Sequence, residues 1–208
     1  LQFELNQKYI DKTFKIAFKL IKSGFTKKFI NGPINKKNFL NKKFNGITEY
    51  ISENFKKKKI GMLIYNNKLS VCPLTTHLPI KLVAKKITKK LIEEKIEIIN
   101  SFFKRNFKIK PKIAVTGLNP HCETILKFSE DEKIIKKAIK NKIKKKINVK
   151  GPYPADTIFL KKNRSKFDII LGMYHDQVLG PFKTLFEYDA INITMGLPFL
   201  RATPDHGP

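Results

Sequence analysis

A chain of 208 residues with 41% hydrophobic content is long enough to bury a sizeable core, and no stretch of about 18 apolar residues marks a membrane span. The formal charge is +26, yet of 43 basic residues only Arg105, Arg164 and Arg201 are arginine. Nucleic-acid surfaces recruit arginine for bidentate contacts, so a lysine excess beside abundant Ile, Asn and Phe reads as codon drift in an AT-rich genome and argues against a nucleic-acid role.

Ile10, Phe14, Ala17, Phe18 and Ile21 recur at helical spacing and predict a helix over 8–24, closed by Ser23-Gly24. Lys28 to Asn31 reads as a short strand running into Gly32-Pro33. Two further strands, Lys59 to Tyr65 and Lys68 to Pro73, flank Asn66-Asn67, a hairpin-type turn. Apolar positions from Leu82 to Phe103 mark one long helix or two consecutive ones, and Lys112 to Thr116 is another strand. Ser129-Glu130-Asp131-Glu132 reads as a capping box opening a helix over 130–145. Asn148 to Lys150, Phe167 to Leu171 and Ile191 to Thr194 complete the strands. Strands alternating with helices predict an α/β layered fold with a largely parallel sheet and no linker separating independent domains.

Three of the four histidines follow β-type apolar runs, in Thr75-Thr76-His77-Leu78-Pro79, Gly117-Leu118-Asn119-Pro120-His121 and Met173-Tyr174-His175-Asp176-Gln177. Strand ends are where α/β proteins hold ligands, and imidazole is a common ligand of borderline divalent metals. Spacing alone leaves two readings open, one metal site or three unrelated loop histidines. Cys72 and Cys122 form no disulfide framework and fit a reducing cytoplasm. Cys122, beside His121, reads as a small loop residue more readily than as a fourth ligand. The chain opens at Leu1 without a signal-peptide pattern, which reads as the absence of the true N-terminus.

Those three segments, with Asn31-Gly32-Pro33-Ile34-Asn35-Lys36, Gly151-Pro152-Tyr153-Pro154-Ala155-Asp156-Thr157, Asn192-Ile193-Thr194-Met195-Gly196-Leu197-Pro198-Phe199 and Asp205-His206-Gly207, resemble the 4-hydroxythreonine-4-phosphate dehydrogenase family in that family's order. The resemblance implies an isocitrate/isopropylmalate dehydrogenase-like fold of two α/β lobes around a cleft. Residues 1–33 and 184–208 would belong to the end lobe and 34–183 to the central lobe, with the chain apparently a fragment truncated in its NAD loop. It implies NAD- and metal-dependent oxidation of 4-phosphohydroxy-L-threonine, then decarboxylation to 3-amino-2-oxopropyl phosphate, on the way to pyridoxal phosphate. His77, His121 and His175 match the metal ligands of a site built at a homodimer interface. Zn is the favoured ion, with Co or Mg as alternatives.

By the same register Thr48, Lys183, Asn192 and Arg201 match substrate contacts, and two cations with an amide suit a phosphate and a carboxylate. Asp205, His206 and Gly207 would approach NAD. Lys183, Asp176 and Asp156 are the candidates for moving a proton, with the two aspartates equally readable as ligand-orienting or capping groups. The implied setting is cytoplasmic, with a small phosphorylated substrate and neither membrane nor nucleic acid as partner. Two departures stand out. Gly46-Ile47-Thr48-Glu49 carries isoleucine where the family has a substrate-binding histidine, and Cys122-Glu123-Thr124 replaces a glycine-rich loop after His121. These departures raise two alternatives, a dehydrogenase of threonate or erythronate 4-phosphate and an inactive truncated relative.

Overall fold

The computed structural model describes residues 2–32, 34, 44, 46–123 and 128–205. Helix α1 (Gln2–Lys22) leads to strand β1 (Lys28–Ile30), and α2 (Ile47–Asn54) precedes the hairpin of β2 (Gly61–Tyr65) and β3 (Ser70–Thr75). The Asn66 side chain closes that turn, accepting from the Lys68 amide at 2.8 Å and donating to the Asp189 carbonyl at 2.6 Å. The apolar run that follows divides into α3 (Ile80–Lys86) and α4 (Lys89–Asn106). Ile87 between them is extended, and Thr88 caps α4 by accepting from the Leu91 amide at 3.2 Å.

After β4 (Ile113–Thr116) comes a 3-10 turn, Pro120–Cys122, and then a π-helical turn, Asp131–Ile135, that continues as α5 (Lys136–Lys144). The capping box does not form here. The Ser129 hydroxyl is buried without a hydrogen-bond partner among the described residues, where the opening turn is π-wound and Asp131 turns to the 118–119 loop instead. The remainder is β5 (Val149–Tyr153), the short helices α6 (Ala155–Ile158) and α7 (Lys161–Arg164), β6 (Ile169–Tyr174), α8 (His175–Phe186), β7 (Ile191–Met195) and β8 (Leu200–Pro204). Five of these were absent from the predicted set: α2, α6, α7, α8 and β8. Pro181 inside α8 and the Pro198 and Pro204 that bracket β8 are residues that argue against helix and strand in sequence.

One sheet of eight strands runs in the order β1-β8-β7-β2-β3-β6-β4-β5. The half from β3 to β5 is parallel, as are β1 and β8, whereas β2 lies antiparallel to β3 and β7, and β7 to β8. The sheet is therefore mixed, because the tight Asn66-Asn67 hairpin forces β2 to reverse. Helices cover both faces. On one, Ile92, Ile96, Ile99 and Phe103 of α4 pack on Leu63, Cys72 and Leu171, each large side chain contributing roughly 1.5–3 kcal/mol of burial. On the other, Val178 and Phe182 of α8 pack on Ile64, Val71 and Ile170. A third cluster joins Phe14 and Phe18 of α1 to Ile47, Ile51 and Phe199. No described helix is long and apolar enough to cross a membrane.

Candidate functional site

The carboxyl ends of β3 and β6 are neighbours in the sheet, Thr75 opposite Tyr174, and each is followed directly by a histidine-bearing segment. His77 and His175 accordingly face each other with ring centroids 6.2 Å apart. Nδ1 of His175 shares a hydrogen bond of 2.6 Å with Asp176 Oδ1, which leaves Nε2 as its free ligating atom. His77 and His121 hold left-handed backbone, φ 50° and 55°, a conformation that costs an L-residue roughly 1–2 kcal/mol.

Neighbouring side chains fix this edge. Gln177, in the first turn of α8, accepts from the Thr116 hydroxyl and the Met173 amide at 2.7 Å each and donates to the Gly117 carbonyl at 2.8 Å. It thereby ties the end of β4 to the end of β6. Thr75 adds a bond of 2.8 Å to the Met173 carbonyl. Gly172 lets α8 start so close to β6, since a Cβ there would lie 2.3 Å from Val178 Cγ1.

Beside the two histidines opens a cleft of about 330 Å³ whose lining includes Thr48, Asn192, Arg201 and Asp205. Arg201 is 4% exposed, and its guanidinium donates to three neutral oxygens: Asn31 Oδ1 at 3.1 Å, Thr48 Oγ1 at 3.0 Å and Thr194 Oγ1 at 2.8 Å. Burial pushes it down to about 10, with Glu49 opposing, so it stays charged at neutral pH. A buried cation whose hydrogen-bond acceptors are all neutral is suited to receive an anion. Ile47 also lines the cleft, but its side chain belongs to the apolar cluster under α1. Lys183 pairs with Asp205 and lies 5.4 Å over the Tyr188 ring.

The remaining expected residues lie elsewhere. His121 follows β4, in a loop shaped by Asp131, whose carboxylate accepts from the Leu118 amide at 2.8 Å and from Asn119 Nδ2 at 2.8 Å. Asp156 opens α6 in the same neighbourhood, close enough to add to the rise of the Cys122 thiol, which burial and Asp131 push up to about 11. Asp176 is exposed apart from its bond to His175. His206 and Gly207 lie outside the described residues. Among the described residues no group of three or more His, Cys, Asp or Glu converges within one chain. Two imidazoles on adjacent strand ends are a donor set that fits a borderline divalent metal. Sequence reasoning passed over Asp131, Gln177 and Lys95. The last is a lysine of α4 that is 8% exposed and lines the same cleft.

The sequence profile described as "Pyridoxal phosphate biosynthetic protein PdxA" matches residues 4–208. A 4-hydroxythreonine-4-phosphate dehydrogenase of Sulfurihydrogenibium sp. is 45% identical over 165 residues, covering 78% of this chain and 50% of the relative. The D-threonate 4-phosphate dehydrogenase of Salmonella typhimurium is 35% identical over 196 residues, or 93% of this chain and 60% of the relative. A crystal structure of 4-hydroxythreonine-4-phosphate dehydrogenase from Klebsiella pneumoniae superposes with a TM-score of 0.82 at 33% identity, over 92% of this chain and 59% of that one. The chain thus spans between half and about three-fifths of the length of these three proteins.

Proposed function

The chain belongs to the family of pyridoxal phosphate biosynthetic protein PdxA, and from that membership we propose that it acts in an NAD- and divalent-metal-dependent dehydrogenase of a phosphorylated four-carbon acid, 4-phosphohydroxy-L-threonine first. The observation that supports this best is the cleft itself. It sets two facing imidazoles beside a buried arginine whose three hydrogen-bond acceptors are all neutral. Oxidation of the C3 hydroxyl passes a hydride to NAD and a proton to the protein, and the resulting β-keto acid loses CO2.

In this reading Arg201, steered by Thr48, Thr194 and Asn31, grips one acidic group of the substrate, and Asn192 hydrogen-bonds alongside. His77 and His175 would hold the metal, Zn before Co or Mg, with His121 supplied by the second subunit of a homodimer. Such an ion, when bound, would lower the pKa of the substrate hydroxyl and polarise the ketone. Lys183, Asp176 and Asp156 are the proton carriers this reading offers. Lys183 is the one held in place by a buried carboxylate, that of Asp205. The Asp205-His206-Gly207 segment would approach NAD, with Asp205 acting through Lys183. The same reading assigns residues 1–33 and 184–208 to one lobe of an isocitrate/isopropylmalate dehydrogenase-like fold and 34–183 to the other, in a cytoplasmic enzyme.

D-threonate 4-phosphate is the second substrate to consider, because isoleucine occupies position 47 and a relative at 35% identity carries that name. The test is NADH formation from each phosphorylated acid, before and after chelation and zinc re-addition. Metal-dependent turnover of either one supports the dehydrogenase and selects the substrate. Absence of turnover with both, in a dimer that still binds zinc, removes the proposal.

A further inference from the structure

Lys95 is the charged group in the cleft that this chemistry leaves without a task. It sits in α4, on the face that packs against the sheet, yet its aliphatic stem passes Gly61 and its ammonium lies at the cleft wall. A Cβ on Gly61 would lie 3.3 Å from Lys95 Cδ and 3.5 Å from Nζ, so the absence of a side chain there keeps this passage open. The residue is 8% exposed. Its Nζ donates to the Ile60 carbonyl at 2.9 Å, and among the described residues it has no carboxylate partner. An ammonium carries three donors and is strongly hydrated, so burying one against a single carbonyl is costly unless an anion answers it. Other lysines with low exposure show the contrast: Lys142, also buried, lies 2.5 Å from Glu97 and 3.5 Å from Glu93.

Because β2 runs antiparallel to β3, the Ile60-Gly61 start of β2 lies at the same edge of the sheet as the ends of β3 and β6 that carry His77 and His175. Lys95 and Arg201 therefore bring two buried positive charges to one cleft, and neither has an ion-pair partner among the described residues. Two acidic groups line the cleft: Glu49, whose field acts on Arg201, and Asp205, which pairs with Lys183. Two unpaired cations suit a ligand with two separate anionic groups better than one with a single charge.

We propose that Lys95 is a substrate-binding residue, its ammonium holding one anionic group of the substrate while Arg201 holds the other. The inference rests on the dehydrogenase reading above, whose substrates carry a phosphate and a carboxylate. In a cleft where position 47 carries no polar side chain, Lys95 supplies a polar contact.

Calorimetric titration of the zinc-loaded dimer with 4-phosphohydroxy-L-threonine, D-threonate 4-phosphate, phosphate-free 4-hydroxy-L-threonine and inorganic phosphate tests this. Lys95→Gln keeps a donor for the Ile60 carbonyl while removing the charge. A merely structural lysine would tolerate it, whereas an anion anchor would not. The expected result is an unchanged melting temperature with about tenfold or greater loss of affinity for the phosphorylated acids. Weakening of those ligands and of inorganic phosphate, but not of the phosphate-free acid, assigns Lys95 to the phosphate. Weakening of the phosphate-free acid along with the phosphorylated acids, with inorganic phosphate unaffected, assigns it to the carboxylate. Should Lys95→Gln not melt cooperatively, Lys95→Met is titrated in its place. Equal affinity of wild type and the neutral variant overturns the proposal and leaves the dehydrogenase standing. A wild-type dimer that binds none of the four ligands defeats the dehydrogenase reading, and this inference with it.

Discussion

Arg201 concentrates what a single residue contributes here. Its guanidinium is held by Asn31, Thr48 and Thr194 from three separate segments of chain, so its position depends on the whole end of the sheet. Lysine at this position would preserve the charge but could not serve three acceptors from a planar fork. For Arg201→Lys we therefore expect a rise of about tenfold or more in KM for the phosphorylated substrate. The orphaned hydroxyls should also cost about 1–3 kcal/mol in urea unfolding. An unchanged KM would remove Arg201 from the binding site. In the sequence this residue was visible by rarity, being one of three arginines among so many lysines, and by its place in a familiar register. Lys95 was passed over as one lysine among many, although its spacing from Leu91, Ile92 and Ile99 puts it on the inward face of the helix. Asp131 was passed over as an interior residue of the Ser129–Glu132 capping box, whereas its partners belong to a loop 12 residues earlier.

At the scale of elements the site is a consequence of how tightly α8 starts on β6. A Cβ at position 172 would meet Val178 Cγ1 at 2.3 Å and Gln177 Oε1 at 3.2 Å, so the strand-to-helix turn admits only glycine. Gly172→Ala should force α8 outward, at a cost of about 1–3 kcal/mol by denaturant unfolding. Adding Val178→Ala to that variant should restore part of the loss by removing the methyl it strikes. Equal stabilities for the single and double variants would show that this contact does not set the helix position. The helix carries His175 and Gln177 together, so the same displacement should weaken zinc binding along with stability. Among the described residues seven of the eight strands and four of the eight helices were legible in the pattern of apolar positions, including the hairpin at Asn66-Asn67. Helix α8 was not, since Gly180-Pro181 in its middle breaks the pattern. Its proline is accommodated because the apolar face carrying Val178, Leu179 and Phe182 remains packed on the sheet.

At the scale of the molecule the three histidines divide between two places along one edge of the sheet. His77 and His175 share the cleft beside Arg201, while His121 lies beyond β4 with Asp156 and Cys122 near it. The sequence could suggest that all three serve one metal but not that one chain presents them in two groups, because spacing along the chain carries no information about a second copy. A two-fold dimer that places the His121 loop of one subunit over the His77–His175 cleft of the other would reunite them, and it makes a complementation test decisive. His121→Ala and the double variant His77→Ala/His175→Ala should each be inactive alone. Unfolded together and refolded in equal amounts, half of the dimers formed at random are mixed, and each mixed dimer contains one cleft with all three ligands. Activity should then return to about a quarter of the wild-type value. If all three histidines served a metal within one chain, no mixed dimer would hold a complete set, and the refolded mixture would stay inactive.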